Sequence, residues 1–154
     1  MRKKAFLFIS LSFFLFCLDR IAKFYAHAYP DTSYFLVHPY LGWEFFANNN
    51  SAFSLPISPL LMVGITPLLL LGLFLFARKV IAQNPFALLG FSLIVFGALS
   101  NFIDRILLSF TIDYIRIGLG IFNIADCMIL LGMVILFFQK PNIPHLFDQK
   151  SGRE

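Results

Sequence analysis

Two aspartates in the last third of the chain are the side chains best suited to acid–base chemistry. Asp126 is the only charged residue in the run from Ile117 to Gln139, and Asp113 precedes that run. A charge in a membrane-spanning segment costs at least about 2.5 kcal/mol, so it usually faces a polar cavity or a partner. Two carboxylates in one low-dielectric pocket share a proton, so one can activate water while the other polarises a carbonyl. This is the chemistry of an aspartic protease, and the sequence leaves open which acid is protonated.

Other hydrolytic chemistries lack their residues. The chain has no His-Glu-x-x-His pair for zinc and no Gly-x-Ser-x-Gly elbow. Its histidines are His27, His38 and His145, and the last falls on the predicted inner side. Cys17 and Cys127 both fall in apolar segments, which gives no reason to expect a disulfide or a metal site. We expect neither a metal ion nor an organic cofactor.

The composition indicates an integral membrane protein. The 154 residues are 59% hydrophobic and 13% charged, and the mean hydropathy is +0.82, which is too apolar for a soluble domain of this size. Four windows approach the roughly 20 residues that a spanning helix needs. The predicted spans, within a single domain of residues 1–154, cover about 5–27, 57–77, 85–104 and 120–139.

Basic residues stand at the ends of these windows, so the formal charge of +4 is not the footprint of a nucleic-acid-binding protein. The positive-inside rule makes both termini and the loop at Arg78-Lys79 cytoplasmic. The first window also resembles a secretory signal peptide, but no small-residue cleavage site follows it, so we expect a retained helix.

The predicted fold is an all-α membrane protein with four transmembrane helices and a long extracytoplasmic loop. That loop, residues 28–56, is rich in aromatic rings, which favour the membrane interface. Val37–Tyr40 and Trp43–Ala47 read as short strands joined by a turn at Leu41-Gly42, a small β-sheet lying on the membrane. The tail 141–154 is predicted to be a flexible cytoplasmic end.

A helix rises by about 1.5 Å per residue, and counting along the predicted helices places several polar side chains together near the outer surface. The group comprises Asp19, Arg20, Lys23, Asn101, Asp104, Arg105 and Asp126, with Asp113 joining from the loop between helices three and four. Some of these residues also have purely structural interpretations, and those remain open. Asp19 and Lys23 fit a simple i,i+4 helix pair, and Asn123 fits an N-cap with Asp126 at position N3.

Three motifs occur in an order and spacing that carry a family resemblance. They are Asn101-Phe102-Ile103-Asp104-Arg105, Ile112-Asp113-Tyr114 and Phe122-Asn123-Ile124-Ala125-Asp126. Together they resemble the bacterial lipoprotein signal peptidase family, signal peptidase II. Asn48 and the segment 51–54 resemble the family's loop motif. Members of this family are aspartic endopeptidases of the inner membrane with four spanning helices, and they cut diacylglyceryl-modified prolipoproteins just before the lipidated cysteine.

The resemblance implies a role for each matching residue. Asp113 and Asp126 would be the catalytic pair, supported by the side chains Asp19, Lys23, Asn48, Asn101, Asp104, Arg105 and Asn123. It further implies diacylglyceryl-modified prolipoprotein substrates. We also expect contact with membrane lipid but not with nucleic acid, a monomer, and, from the positive-inside rule, an active site toward the extracytoplasmic face. Asn50 and Ser100 stand where the family usually has glycine. Neither departure changes the proposed catalytic acids.

Two other classes of function compete with the peptidase. A small ion or proton transporter subunit would use intramembrane acids as a relay, but it requires polar residues along a path through the bilayer. The second helix and the inner halves of the others carry almost none. A non-catalytic lipoprotein-binding membrane protein, or a paralogue that has lost activity, would keep the pocket and tolerate loss of either aspartate.

Overall fold

The computed structural model of the protein describes residues 2–49 and 59–139. Its helices are α1 (Arg2–Ala28), α2 (Pro59–Gln83), α3 (Phe86–Leu108) and α4 (Ile124–Phe138). Its strands are β1 (Tyr34–Val37), β2 (Leu41–Asn48), β3 (Thr111–Ile117) and β4 (Gly120–Phe122). The interpretations made for Asn50, for the motif 51–54 and for the tail 141–154 concern residues outside the described ones.

Three helices are long and apolar enough to cross a bilayer. The mean hydropathy of their best windows is 1.9 in α1, 2.5 in α2 and 2.1 in α3. Large apolar side chains such as Phe6 and Leu68 are about 70% exposed on these helices, an arrangement that suits lipid and not water. The expected integral membrane fold is confirmed.

The fourth predicted span is shorter than expected. Residues 120–122 pair with β3 as strand β4, and Asn123 is extended, so α4 begins at Ile124 and not at residue 120. Its 15 residues cover roughly 22 Å, less than the roughly 30 Å of a hydrocarbon core. Asp126 therefore lies in the first turn of α4, beside the sheet.

The four strands form one antiparallel sheet in the order β1-β2-β3-β4. It lies at the end of the bundle where α1 and α3 stop and α4 starts. The predicted small sheet is confirmed, but two details were wrong. The turn lies at His38–Tyr40 and not at Leu41-Gly42, because Pro39 cannot donate to a strand ladder. Asp113 lies on β3 and not in a loop.

Helix α3 occupies the centre and packs against the other three helices. The close approach of α3 to α4 depends on glycines. A Cβ atom added to Gly97 would lie 2.6 Å from the carbonyl oxygen of Ala125, and one added to Gly132 would lie 2.6 Å from that of Gly90. Such backbone contacts allow no side chain, so the glycines set how closely α4, and with it Asp126, approaches α3.

We expect Gly97→Ala to destabilise the protein by about 1–3 kcal/mol, because the added methyl group overpacks this contact. The position of Asp126 should shift as well, since the displaced residue, Ala125, immediately precedes it. Thermal unfolding in detergent checks the loss of stability. Gly72→Ala is the matched control, since its new Cβ would meet nothing within 4 Å. Equal behaviour of the two variants would contradict the packing argument.

Candidate active site

Asp113 projects from β3 into a polar surrounding that holds both of its carboxylate oxygens. Strand β3 pairs with β2, which brings Asn48 opposite Thr111. Asn48 Nδ2 donates to Asp113 Oδ2 at 2.8 Å, and Asn123 Nδ2 donates to Asp113 Oδ1 at 2.5 Å. The Asp113 residue is 1% exposed. Two amide donors therefore hold this carboxylate in one orientation.

Asp126 is held from the other side by helix α3. Asn101 Nδ2 donates to Asp126 Oδ1 at 2.8 Å. The amide of Asn101 is in turn oriented by Lys23, whose Nζ donates to Asn101 Oδ1 at 2.6 Å. This arrangement determines which end of the Asn101 amide faces Asp126, because an ammonium can only donate. A chain of contacts thus runs from α1 through α3 to the acid on α4.

Asn123 connects the two acids. Its backbone is extended, with φ −132° and ψ 169°, and its Oδ1 accepts from the backbone N–H of Asp126 at 2.8 Å. This is the N-cap that the sequence allowed. The amide nitrogen of the same side chain donates to Asp113 and, at 3.3 Å, to the carbonyl of Ile112. One side chain therefore caps the helix that carries Asp126 and orients Asp113.

Both acids line a single cavity of about 640 Å³. Arg105 also lines it, and its charge interacts with both acids. Within the described part of the chain, however, its guanidinium donates no hydrogen bond to either carboxylate. Asn123 therefore orients Asp113 through a hydrogen bond, whereas Arg105 acts on the two acids through its charge. The guanidinium donors of Arg105 remain available to a group entering the cavity.

A network of charged side chains from α1 and α3 lies beside the site. Lys23, Asp19 and Asp104 are each fully buried. Lys23 Nζ lies 3.2 Å from Asp19 Oδ2 and 2.7 Å from Asp104 Oδ2, and Arg20 Nη1 lies 2.5 Å from Asp104 Oδ1. Two cations thus face two carboxylates, the pairing that buried charges require. A simple i,i+4 helix pair does not account for the contact of Lys23 with α3.

Two hydroxyl groups donate to Asp19, and the sequence had not identified either of them as part of the site. Tyr114 OH donates to Asp19 Oδ1 at 2.8 Å, and Ser100 Oγ donates to Asp19 Oδ2 at 2.6 Å. Ser100, the departure from the family's glycine, thus makes a buried hydrogen bond. Tyr114 follows Asp113 directly in a motif already identified, and that adjacency was the available signal.

Burial raises the pKa of Asp113 to about 7, and the nearby Asp126 carboxylate adds to the rise. The hydrogen bonds from Asn48 and Asn123 act in the opposite direction because they favour the charged form. Asp113 therefore binds a proton more readily than an ordinary aspartate, which allows the pair to share one proton near neutral pH.

This shift predicts how stability changes with pH. An unfolded aspartate has a pKa of about 3.9, so between about pH 4 and about pH 7 the folded protein binds more protons than the unfolded chain. The free energy of unfolding should therefore fall as pH rises through this interval and level off above it. Thermal unfolding across a pH series should show less decline for Asp113→Asn than for wild type. The exposed Asp31, changed to Asn, is the control, and an unchanged decline in Asp113→Asn would contradict the assignment.

The described residues also bear on metal binding. Among residues 2–49 and 59–139, no three histidine, cysteine, aspartate or glutamate side chains are grouped to hold a metal ion. Cys17 and Cys127 are free thiols.

The fold and the site define a class: an integral membrane protein whose helix bundle, capped by a small sheet, presents one buried and one partly buried aspartate to a single cavity. Known proteins of similar sequence narrow that class. Residues 11–140 match the family described as signal peptidase (SPase) II. The lipoprotein signal peptidase of Aquifex aeolicus is 32% identical over 97% of this chain and 96% of its own length. That of Chlorobium phaeobacteroides is 31% identical over 84% of this chain and 92% of its own.

A solved structure described as a bacterial membrane enzyme has the same fold. It superimposes with a TM-score of 0.76 at 27% identity and covers 85% of each chain. The chain belongs to the signal peptidase II family. It is thus a lipoprotein signal peptidase, a membrane hydrolase of the protease class, and the transporter interpretation is set aside.

Proposed function

We propose that the protein is an aspartic endopeptidase that hydrolyses the peptide bond before the diacylglyceryl-modified cysteine of prolipoproteins and so releases the signal peptide. The observation that carries the proposal is that the carboxylates of Asp113 and Asp126 line one cavity. The side chain of Asn123 holds them in place, since it donates to the Asp113 carboxylate and accepts from the backbone N–H of Asp126. Such a pair can share one proton, which aspartic hydrolysis requires.

In the proposed mechanism a water molecule lies between the two carboxylates. Asp126, as the ionised member, removes a proton from the water as it attacks the scissile carbonyl. Asp113, as the protonated member, donates a hydrogen bond to the oxygen on which negative charge develops. The nitrogen of the leaving amine then takes the proton that Asp126 removed from the water, and the C–N bond breaks as the carbonyl reforms. The pair is left with one proton on Asp113 and an ionised Asp126, as at the start.

The remaining polar groups of the cavity suit substrate binding. Arg105 lacks a hydrogen-bond partner among the described residues, so its donors are proposed to hold a backbone carbonyl of the substrate near the scissile bond. Ile129, Leu130 and Met133 form an apolar side of the cavity on α4. This side suits an apolar signal helix that enters from the membrane. Anchoring of the substrate by its lipid would lower the entropic cost of reaching the acids.

The orientation in the membrane is likewise proposed. Lys3 and Lys4 lie at the start of α1, and Arg78 lies near the end of α2, at the end of the bundle opposite to the sheet. The positive-inside rule makes that end cytoplasmic. The two aspartates then lie toward the extracytoplasmic face of the bacterial inner membrane, where a lipid-modified precursor presents its cleavage site. We further propose that the enzyme acts as a monomer.

The test is cleavage by the purified protein in detergent, with a diacylglyceryl-modified prolipoprotein as substrate. Mass spectrometry of the products should place the cut immediately before the lipidated cysteine. The same precursor with that cysteine unmodified is the matched control and should be cut far more slowly. Equal cleavage of both precursors would contradict the proposed specificity, and no cleavage of either would contradict the proposed activity.

A further inference from the structure

The N-terminus of α4, the helix that carries Asp126, is held by side chains from different parts of the fold. A helix begins with N–H groups that have no partner within the helix. Here Ile124 N donates to Tyr114 OH at 3.2 Å, and Ala125 N donates to Asp19 Oδ1 at 3.1 Å. Asp126 N donates to the capping Asn123. Strand β3 and helix α1 therefore each supply an acceptor to the same helix end.

The hydroxyl group of Tyr114 is the point where these elements meet. It accepts from Ile124 N and donates to Asp19 Oδ1 at 2.8 Å. The residue is 1% exposed, and its ring packs on Trp43 at a centroid distance of 4.7 Å. Burial and the Asp19 carboxylate raise the pKa of Tyr114 above its ordinary value, so the hydroxyl keeps its proton and remains a donor.

The position of Tyr114 in the chain relates this bond to the catalytic pair. Neighbouring residues on a strand point to opposite faces, so Asp113 lines the cavity while Tyr114 enters the core that also contains Ala26 and Ile112. Ile124, at the other end of the bond, lies two residues before Asp126. The hydroxyl thus joins the backbone that carries one acid to the backbone that carries the other.

We infer that Tyr114 is a positioning residue whose hydroxyl fixes the separation of the Asp113 and Asp126 carboxylates. The inference rests on the proposed function and assigns a role to a residue outside the catalytic pair. When two carboxylates move apart, each affects the ionisation of the other less. Loss of the hydroxyl should therefore slow the chemical step and also change the pH at which the pair loses its shared proton.

The experiment compares wild type with Tyr114→Phe, which keeps the ring and removes only the hydroxyl. We expect kcat to fall by about 10- to 100-fold, as a misplacement of about 1 Å can produce, while KM changes by less than about twofold because no substrate contact is lost. The basic limb of the kcat–pH profile should move to lower pH.

Ser100→Ala is the matched control. It removes a buried hydroxyl that donates to the same Asp19 carboxylate at 2.6 Å and accepts from Arg20, but that makes no hydrogen bond to α4 among the described residues. We expect this variant to keep the wild-type kcat–pH profile even where its thermal stability falls. An equal shift in Ser100→Ala would show that the effect comes from Asp19 alone and would overturn the inference.

A second variant tests the same bond from its other end and covers the case in which Tyr114→Phe does not fold. Ile124→Pro removes the donated N–H at the first position of α4, where proline is favoured, and the extended Asn123 before it is compatible with proline. We expect the same fall in kcat and the same pH shift. If Ile124→Pro and any folded Tyr114→Phe keep the wild-type kcat and pH profile, the inference is wrong. The proposed function would stand in that case, provided that wild type cleaves the lipidated precursor and the variants lacking either catalytic acid do not.

Discussion

Replacement of either Asp113 or Asp126 by asparagine is expected to lower the cleavage rate by about 10²- to 10⁴-fold, the range typical for loss of a catalytic acid or base. Asparagine keeps the size of the side chain but can neither take a proton from water nor share one. The rate of release of the signal peptide from a diacylglyceryl-modified prolipoprotein measures the effect. Circular dichroism and thermal unfolding in the same detergent establish that each variant is folded.

The two variants should differ in stability. The Asp126 carboxylate accepts from the side chain of Asn101, and an asparagine oxygen at 126 can still accept from it. Asp113 accepts from both Asn48 and Asn123, and an asparagine at 113 would turn its own amide donors toward one of them. We therefore expect Asp113→Asn to lose more hydrogen bonding than Asp126→Asn, although it also removes the cost of a buried carboxylate.

Asp31→Asn is the control for these variants because Asp31 is exposed in the segment after α1. It should retain wild-type activity. Folded variants at 113 and 126 that cleave as fast as wild type would remove the catalytic assignment and favour a lipoprotein-binding role for the cavity. Loss of activity in only one of the two would show that the acids do not work as a pair.

Replacement of Lys23 by methionine should give the second large effect, a loss of about 3–5 kcal/mol in the free energy of unfolding. This is the cost expected when one member of a buried ion pair is removed. The ammonium group faces both Asp19 and Asp104, so its removal leaves two buried carboxylates with only the Arg20 cation beside Asp104. Denaturation in detergent measures the loss, and Lys3→Met, an exposed lysine on the same helix, should be neutral.

A second substitution separates charge from packing in this prediction. Asp19→Asn added to Lys23→Met removes one of the two uncompensated carboxylates. We expect the double variant to recover part of the lost stability, because residues of one network are not additive. Activity should stay low in both, since Lys23 orients the Asn101 amide that holds Asp126. The single Asp19→Asn variant, compared with wild type, gives the stability cost of that substitution when Lys23 is present. If the double variant is less stable than Lys23→Met by that same amount, the charge argument is wrong.

Predictions from local sequence were accurate where one short stretch of chain contains the signal. A run of apolar residues about 20 long indicates a spanning helix by itself, and α1 and α3 lie close to the predicted windows. Helix α2 extends beyond the predicted end at residue 77 to Gln83, because a helix can continue past the charges that mark the edge of the hydrocarbon.

The strands were harder to predict because their pairing is non-local. Strand β3 carries Asp113, and it pairs with β2, about seventy residues earlier, with Asn48 opposite Thr111. The first four residues of the segment 111–117 are all buried, so the strand lacks the alternation of buried and exposed residues that marks a sheet with one solvated face. The first residues of the predicted fourth span, Gly120–Phe122, form strand β4 because they pair with β3 across a short turn.

The sequence by itself determined that this is a helical membrane protein with two isolated aspartates near one end of its spans, because an apolar run and a rare charge within it are signals carried along a single segment. The tertiary structure alone decided which groups hold those acids: Asn123 between them, Lys23 behind Asn101, and Tyr114 on Asp19 and the first turn of α4. Each of these contacts joins different elements of the fold, so it depends on how helices and strands pack and not on the spacing of residues within any one of them.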